Sequence, residues 1–145
     1  MDGNFVALPS RRFHVEYVAS GVTREWSGDR QLCVFNIDNG YQETIDAWAN
    51  NVKAVLTTWP ENTPCLMLHD FHKALGFNRY FRKRFETLFK HRPDLKRYVA
   101  VIVPDDPIAE IIRAVITQQR SPTQAATWEV FTTRVSALAW LGEHE

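Results

Sequence analysis

Two apolar runs, Pro64 to Phe71 (PCLMLHDF) and Arg97 to Pro104 (RYVAVIVP), constrain the fold more than any other feature of the chain. Continuous hydrophobicity over so short a length suits a strand covered on both faces. Between them Phe77, Phe81, Phe85, Leu88 and Phe89 recur at helical spacing until Pro93 ends the pattern. Two strands joined through a helix of that length must run parallel, by a right-handed crossover. The chain is therefore expected to build a layered α/β body.

The flanking segments extend this scheme. Phe13 to Val18, Val22 to Gly28 and Gln31 to Ile37 are short, rich in β-branched and aromatic residues, and separated by the turn signals ASG and GDR. They predict an opening antiparallel meander. Tyr41, Ile45, Trp48, Ala49, Val52, Val55, Leu56 and Trp59 then mark one helix face, closed by Pro60. After the second buried strand, Asp106 is expected to cap a helix with Pro107 at its first position, where a missing N–H costs nothing. Ile108, Ile111, Ile112 and Val115 are expected to supply its buried stripe. Thr127 to Thr133 alternates like a strand, and a last helix is expected to carry Val135, Leu138 and Ala139 inward. The predicted order is β-β-β-α-β-α-β-α-β-α: a mixed sheet, antiparallel at its start and parallel afterwards, flanked by four helices. Residues 1–12 read as an N-terminal arm and residues 13–145 as one domain, the size that 145 residues allow.

Composition narrows the setting. No stretch approaches the roughly 20 apolar residues a membrane helix needs, and the N-terminus does not resemble a leader, so a cytoplasmic protein is expected. Cys33 and Cys65 both lie in strand-like runs, where a thiol behaves as a small buried hydrophobe. Formal net charge is zero, yet nine of the 17 cations and only two of the 17 acids fall between Lys73 and Arg97. Such asymmetry marks either an anionic partner or a solvated face.

Several segments resemble one family. FTTRVSALAWLGEH is similar to the terminus of small bacterial STAS-like domains, the group described as SpoIIAA-like, related in fold to lipid-binding CRAL-TRIO domains. REWSGD resembles the family's short strand with Trp and Gly, LMLHDF its central strand ending in Asp, and YVAVIVPDDPIAEIIRAV its next strand and helix. The likeness runs from about Phe13 to Glu143. It implies a STAS-like α/β domain. It also implies, for the anti-anti-sigma type, a partner kinase and a phosphorylated serine at the start of the helix after the central strand. Between Asp70 and Phe85 there is no serine or threonine, so that switch is not expected here.

The segment CLMLHDFHKALGF poses the question of a site. Alternation sends His69 and Phe71 to one face and Asp70 and His72 to the other, so His69 and Asp70 do not readily share one ion. The plain reading has Asp70 ending the strand and accepting from the next turn, with both histidines at the sheet rim. A sharper reading starts from the carboxyl ends of parallel strands, where open α/β sheets bind ligands. Asn36, Asp38, Asp70, His72, Asp105, Asp106, Thr132 and Thr133 would gather there, and convergent carboxylates can hold Mg²⁺. The same acids also stand just before helices, where capping and the helix dipole account for them. His69, Asp70, His72, Asp105 and Asp106 are thus a candidate ligand edge, with no catalytic, metal or cofactor-binding residue assigned and no cofactor expected. No Gly-x-Ser-x-Gly, Walker loop, Gly-x-Gly-x-x-Gly or Cys-x-x-Cys motif is present.

The basic helix FNRYFRKRFETLFKHR is the other unusual feature. With its phenylalanines facing the sheet, Arg79, Arg82, Lys83, Lys90 and Arg92 are left for water or a partner. Single-stranded nucleic acid needs exposed aromatics for stacking; burial leaves only Tyr80, so nucleic acid is not the expected partner. Anionic lipid or an acidic protein remains open. The leading expectation is a non-catalytic regulatory or protein-interaction module, with a second protein or a second copy of the chain as partner. The alternative is a carrier or sensor of a small apolar or lipid-like ligand, as the CRAL-TRIO relationship implies; an enzyme using the carboxylate and histidine edge comes third.

Overall fold

The computed structural model describes residues 12–73, 78–105, 107–119 and 125–145. Six strands form one sheet in sequence order: β1 (Phe13–Ala19), β2 (Val22–Ser27), β3 (Leu32–Ile37), β4 (Cys65–Asp70), β5 (Arg97–Ile102) and β6 (Ala126–Phe131). The first three pair antiparallel and the rest parallel. Helices α1 (Gln42–Thr58), α2 (Arg79–Phe89) and α3 (Pro107–Gln119) are the crossovers, and α4 (Arg134–Gly142) follows the last strand. The mixed sheet, the four helices among the described residues and the single-domain organisation agree with the sequence reading. The arm assigned to residues 1–12 lies outside the described residues apart from its last, Arg12. Phe77 of the apolar stripe and the expected cap Asp106 lie outside them as well.

Monotonic strand order decides the layering. Because every crossover is right-handed and the sheet grows in one direction, α1, α2 and α3 must all lie on the same face. Their cluster joins Phe35, Met67, Val99 and Trp128 of the sheet to Trp48, Phe81, Phe85 and Ile112 of the helices. Helix α4 has no strand to feed and covers the opposite face, where Ala137 and Leu141 pack on Leu32, Val34, Leu66, Leu68, Ala100 and Ile102. Strand β4 lies between both layers and is buried along its whole length. At the first hairpin, Gly21 has φ +83, and a Cβ there would meet Asn39 Nδ2 at 2.8 Å. Glycine is what allows this turn to close against the start of α1.

Three expectations need correction. Val135 is exposed, not inward, and so is Ile111, because α3 buries the face through Ala109, Ile112, Val115 and Ile116; α4 buries Ala137 and Leu141, an i, i+4 pair, because the short helix rests on one narrow line of the sheet. The strand-end carboxylates do not cap the helices among the described residues. Helix α2 is capped by Asn78, which accepts from Phe81 N at 2.8 Å, and α4 by Thr133, which accepts from Ser136 N at 3.2 Å. Tyr41 at the start of α1 makes no side-chain cap. The reason is distance: each described helix begins several residues beyond its strand, so Asp38 and Asp70 end too early to reach its first N–H groups.

The third correction concerns the cations. Arg92 is half-buried and donates to Leu56 O at 2.6 Å and Trp59 O at 2.7 Å, closing the C-terminus of α1. Arg97 is 1% exposed. Its Nη1 donates to His91 O at 2.7 Å and Arg92 O at 3.4 Å, and its Nη2 to Leu88 O at 3.1 Å and Phe89 O at 3.5 Å. The two guanidinium groups thus add donors to carbonyls at and just beyond the ends of α1 and α2, in the partial negative field of those termini; Leu56 O, Leu88 O and Arg92 O also accept from backbone N–H groups. Arg92 does not join the solvent-facing set.

Candidate functional site

The carboxyl ends of the parallel strands form one edge through their register, with Asn36 beside Asp70, Asp70 beside Ile102, and Ile102 beside Phe131. Side-chain alternation splits the edge between the two faces of the sheet. His69 falls on the α1 face and is not at the rim, contrary to the sequence reading. It is fully buried, and Trp48 Nε1 donates to its Nδ1 at 3.0 Å. That bond fixes the ring proton on Nε2. Burial, assisted by the positive charge of Arg97, pushes its pKa down to about 3. The ring is therefore a neutral core group, stacked with Phe35 and Phe71 and edge-on to Trp48.

Asp70 falls on the α4 face. Its Oδ1 accepts from His72 N at 3.0 Å and lies 2.6 Å from His72 Nδ1. Sequence reasoning anticipated this turn bond. It missed Glu25 and Arg134. Strand β2 carries Glu25 into the same face, where Arg134 from the start of α4 grips both oxygens at 2.9 Å. Asn36 Nδ2 adds a bond to Glu25 Oε2 at 2.6 Å and one to Thr23 Oγ1 at 3.1 Å. Burial alone would raise the Glu25 carboxyl; the bonds from Arg134 and Asn36 outweigh it and hold the pKa below the usual value. The separation of 109 residues between the two partners hides the pair from any local pattern. A buried-facing Glu in a strand otherwise expected to place apolar residues there was the one available signal.

Asp105 is exposed in the bend before α3, and Asp106 lies outside the described residues. Among the described residues, no three His, Cys, Asp or Glu side chains are placed to hold a metal ion. The edge holds the sheet and α4 together: both Glu25 oxygens and Asp70 Oδ1 are committed to internal donors. Arg134→Ala should lower stability by about 1 kcal/mol in urea unfolding at neutral pH, the low end for a partly buried pair because Arg134 remains a third exposed.

The basic helix presents a different geometry. Phe81, Phe85, Leu88 and Phe89 are buried, as the spacing predicts. Arg79, Arg82, Lys83 and Lys90 are exposed. Arg82 bonds Glu86 at 3.1 Å and Gln118 at 3.1 Å, and Arg84 is turned aside to Asn50 at 2.8 Å and Asp46 at 3.5 Å. Among the described residues Arg79, Lys83 and Lys90 carry no ion pair. Arg79, Arg82, Lys83 and Glu86 line a shallow surface depression. Tyr80 is half-buried and its hydroxyl donates to Asp46, so among the described residues the face offers no free aromatic ring for base stacking.

The fold is SpoIIAA-like. An uncharacterised protein of the DUF3478 family with a SpoIIAA-like fold, from Shewanella loihica PV-4, superposes with a TM-score of 0.54 at 16% identity, over 90% of this chain and 93% of that one. No family model and no curated protein matches the chain.

Proposed function

We propose, from the SpoIIAA-like fold as premise, that this protein is a non-catalytic interaction module whose partner surface is the cationic face of α2, and that the partner is an acidic protein. The observation that carries this reading is the division of labour on α2. Its phenylalanines are spent on the core, while Arg79, Lys83 and Lys90 stand in water without counter-ions among the described residues. Such a face concentrates positive potential in a chain whose formal net charge is zero and speeds encounter with an acidic surface. The absence of Ser and Thr from Asp70 to Phe85 supports a module without the phosphorylation switch that the resemblance implies.

A carrier of an apolar ligand needs room between sheet and helices. Among the described residues that layer is filled by Trp48, Phe71, Phe81, Phe85, Phe89 and Trp128, with ring centroids as close as 4.3 Å. A cavity of about 10 Å³ in this layer admits one water-sized body and no acyl chain. Among the described residues no helix is long and apolar enough to cross a membrane.

The test is affinity capture from host cells, comparing the natural chain with a triple reversal, Arg79→Glu, Lys83→Glu and Lys90→Glu. The expected result is an acidic partner whose purified form binds the natural chain and loses at least about tenfold in affinity with the reversal, equivalent to about 1.4 kcal/mol. The urea midpoint should stay unchanged, since all three side chains are exposed. Equal affinity of both forms for the purified partner refutes the assignment. So does binding only to phosphatidylserine vesicles.

A further inference from the structure

We propose that β1 is a self-pairing edge, through which two copies of the chain join antiparallel about a two-fold axis at Val15. The reading is independent of the partner face on α2, which belongs to the crossover from β4 to β5. Strand β1 ends the sheet, and among the described residues nothing pairs with its outer edge. An open edge is a template for a further strand unless lysine, proline or a bulge blunts it. Phe13 to Tyr17 contains no lysine and no proline, and the irregularity in the register of β1 comes only after Tyr17. Val15 is 60% and Tyr17 76% exposed, whereas β6, at the other edge, carries no exposed large apolar side chain.

The order of side chains along the strand selects a second copy as the occupant. Phe13 packs on the cluster beneath α4, and alternation puts Val15 and Tyr17 on that same face. His14 and Glu16 take the α1 face, in register with Trp26 and Arg24. Side chains directly opposite in an antiparallel pair share a face of the sheet. With the axis at Val15, that residue meets its own copy, Phe13 meets the partner's Tyr17, and His14 meets the partner's Glu16. Two-fold symmetry makes the aromatic pair and the His–Glu pair twice each. Arg24 takes Glu16 Oε1 at 2.9 and 3.0 Å, so Oε2 can accept from the imidazole opposite; His14 itself makes no hydrogen bond or ion pair among the described residues. Moving the axis to Glu16 sets two carboxylates opposite each other, which is unfavourable. Moving it to His14 opposes two imidazoles and gives up the contact of Phe13 with Tyr17.

Sedimentation equilibrium on the natural chain should show a monomer–dimer equilibrium with a Kd on the order of 100 µM, the weak class that suits an interface below about 1,200 Å². Val15→Lys puts two ammonium groups at the axis and should weaken association at least about tenfold; the triple reversal on α2 should leave it unchanged. Single cysteines test the register, since Cys33 and Cys65 are buried. Val15→Cys should yield a disulfide-linked dimer under mild oxidation. Tyr17→Cys should not, because four residues at about 3.4 Å each separate the two copies of position 17, well beyond the roughly 7 Å a disulfide spans. A natural chain that stays monomeric at 500 µM (about five times the expected Kd) overturns the proposal. So does a dimer that Val15→Lys leaves intact, or cross-linking of Tyr17→Cys as ready as that of Val15→Cys.

Discussion

Arg97→Met should lower the unfolding free energy by about 4 kcal/mol, which at a urea dependence of about 1.5 kcal/mol per molar moves the midpoint down by roughly 2.5 M. Methionine fills much of the same volume, so the loss isolates hydrogen bonding from packing. Leu88 O, Phe89 O, His91 O and Arg92 O all receive from this one side chain. Leu88 O and Arg92 O keep backbone donors, from His91 N and Leu95 N, so the loss falls mainly on Phe89 O and His91 O, at about 1–3 kcal/mol for each orphaned buried carbonyl. Arg97→Lys should fall between, because an ammonium can serve some of the carbonyls but cannot span the turn as a planar fork. A loss below about 1 kcal/mol for the methionine variant would mean that the turn closes itself without the guanidinium.

Acid should weaken the fold through His69 before the carboxylates titrate. Its pKa in the folded chain is about 3 against an ordinary value of 6.5, so between these limits the unfolded chain binds a proton that the folded chain excludes. The stability it contributes is fully present above pH 6.5 and is lost as pH falls, with a slope approaching 1.4 kcal/mol per pH unit, about 1.5–2 kcal/mol by pH 5. His69→Gln keeps an acceptor for Trp48 Nε1 and cannot titrate. Urea unfolding at pH 7, 6 and 5 should therefore show a slope in the natural chain that is largely gone in this variant. His91, partly buried and also shifted down by burial and by nearby Lys53, Arg97 and Arg92, adds a smaller term of the same sign, separable with His91→Gln. Equal slopes with and without His69 would show that water reaches the ring. Below about pH 4.5 Glu25 adds to the loss, since its depressed pKa means the pair with Arg134 stabilises only while the carboxylate is charged.

These two residues also show why the candidate site was only partly legible. The run at β4 announced a central strand, and alternation correctly separated His69 from Asp70. What alternation could not say is which face meets α1 and its Trp48, so the histidine was read at the rim when it is in the core. Arg97 and Arg92 were read as members of a basic cluster. A charge count along the chain does not distinguish a guanidinium in water from one that closes a helix. For α4 the apolar pattern allowed more than one inward face, and contact with β4 and β5 selected Ala137 and Leu141 over Val135.

Local patterning determined the elements, their order and the parallel run of the later strands, because spacings of two and between three and four residues report on backbone geometry that neighbouring residues set by themselves. It also determined that the phenylalanines of α2 turn inward and the cations Arg79, Lys83 and Lys90 outward. Only the tertiary structure decided the partnerships of Glu25 with Arg134, Trp48 with His69, and Arg97 with the end of α2. The first two join residues far apart in sequence, and the third depends on how the chain turns from α2 into β5. In the first two cases the donor and acceptor have no reason to be near each other until the sheet and its covering helices have assembled.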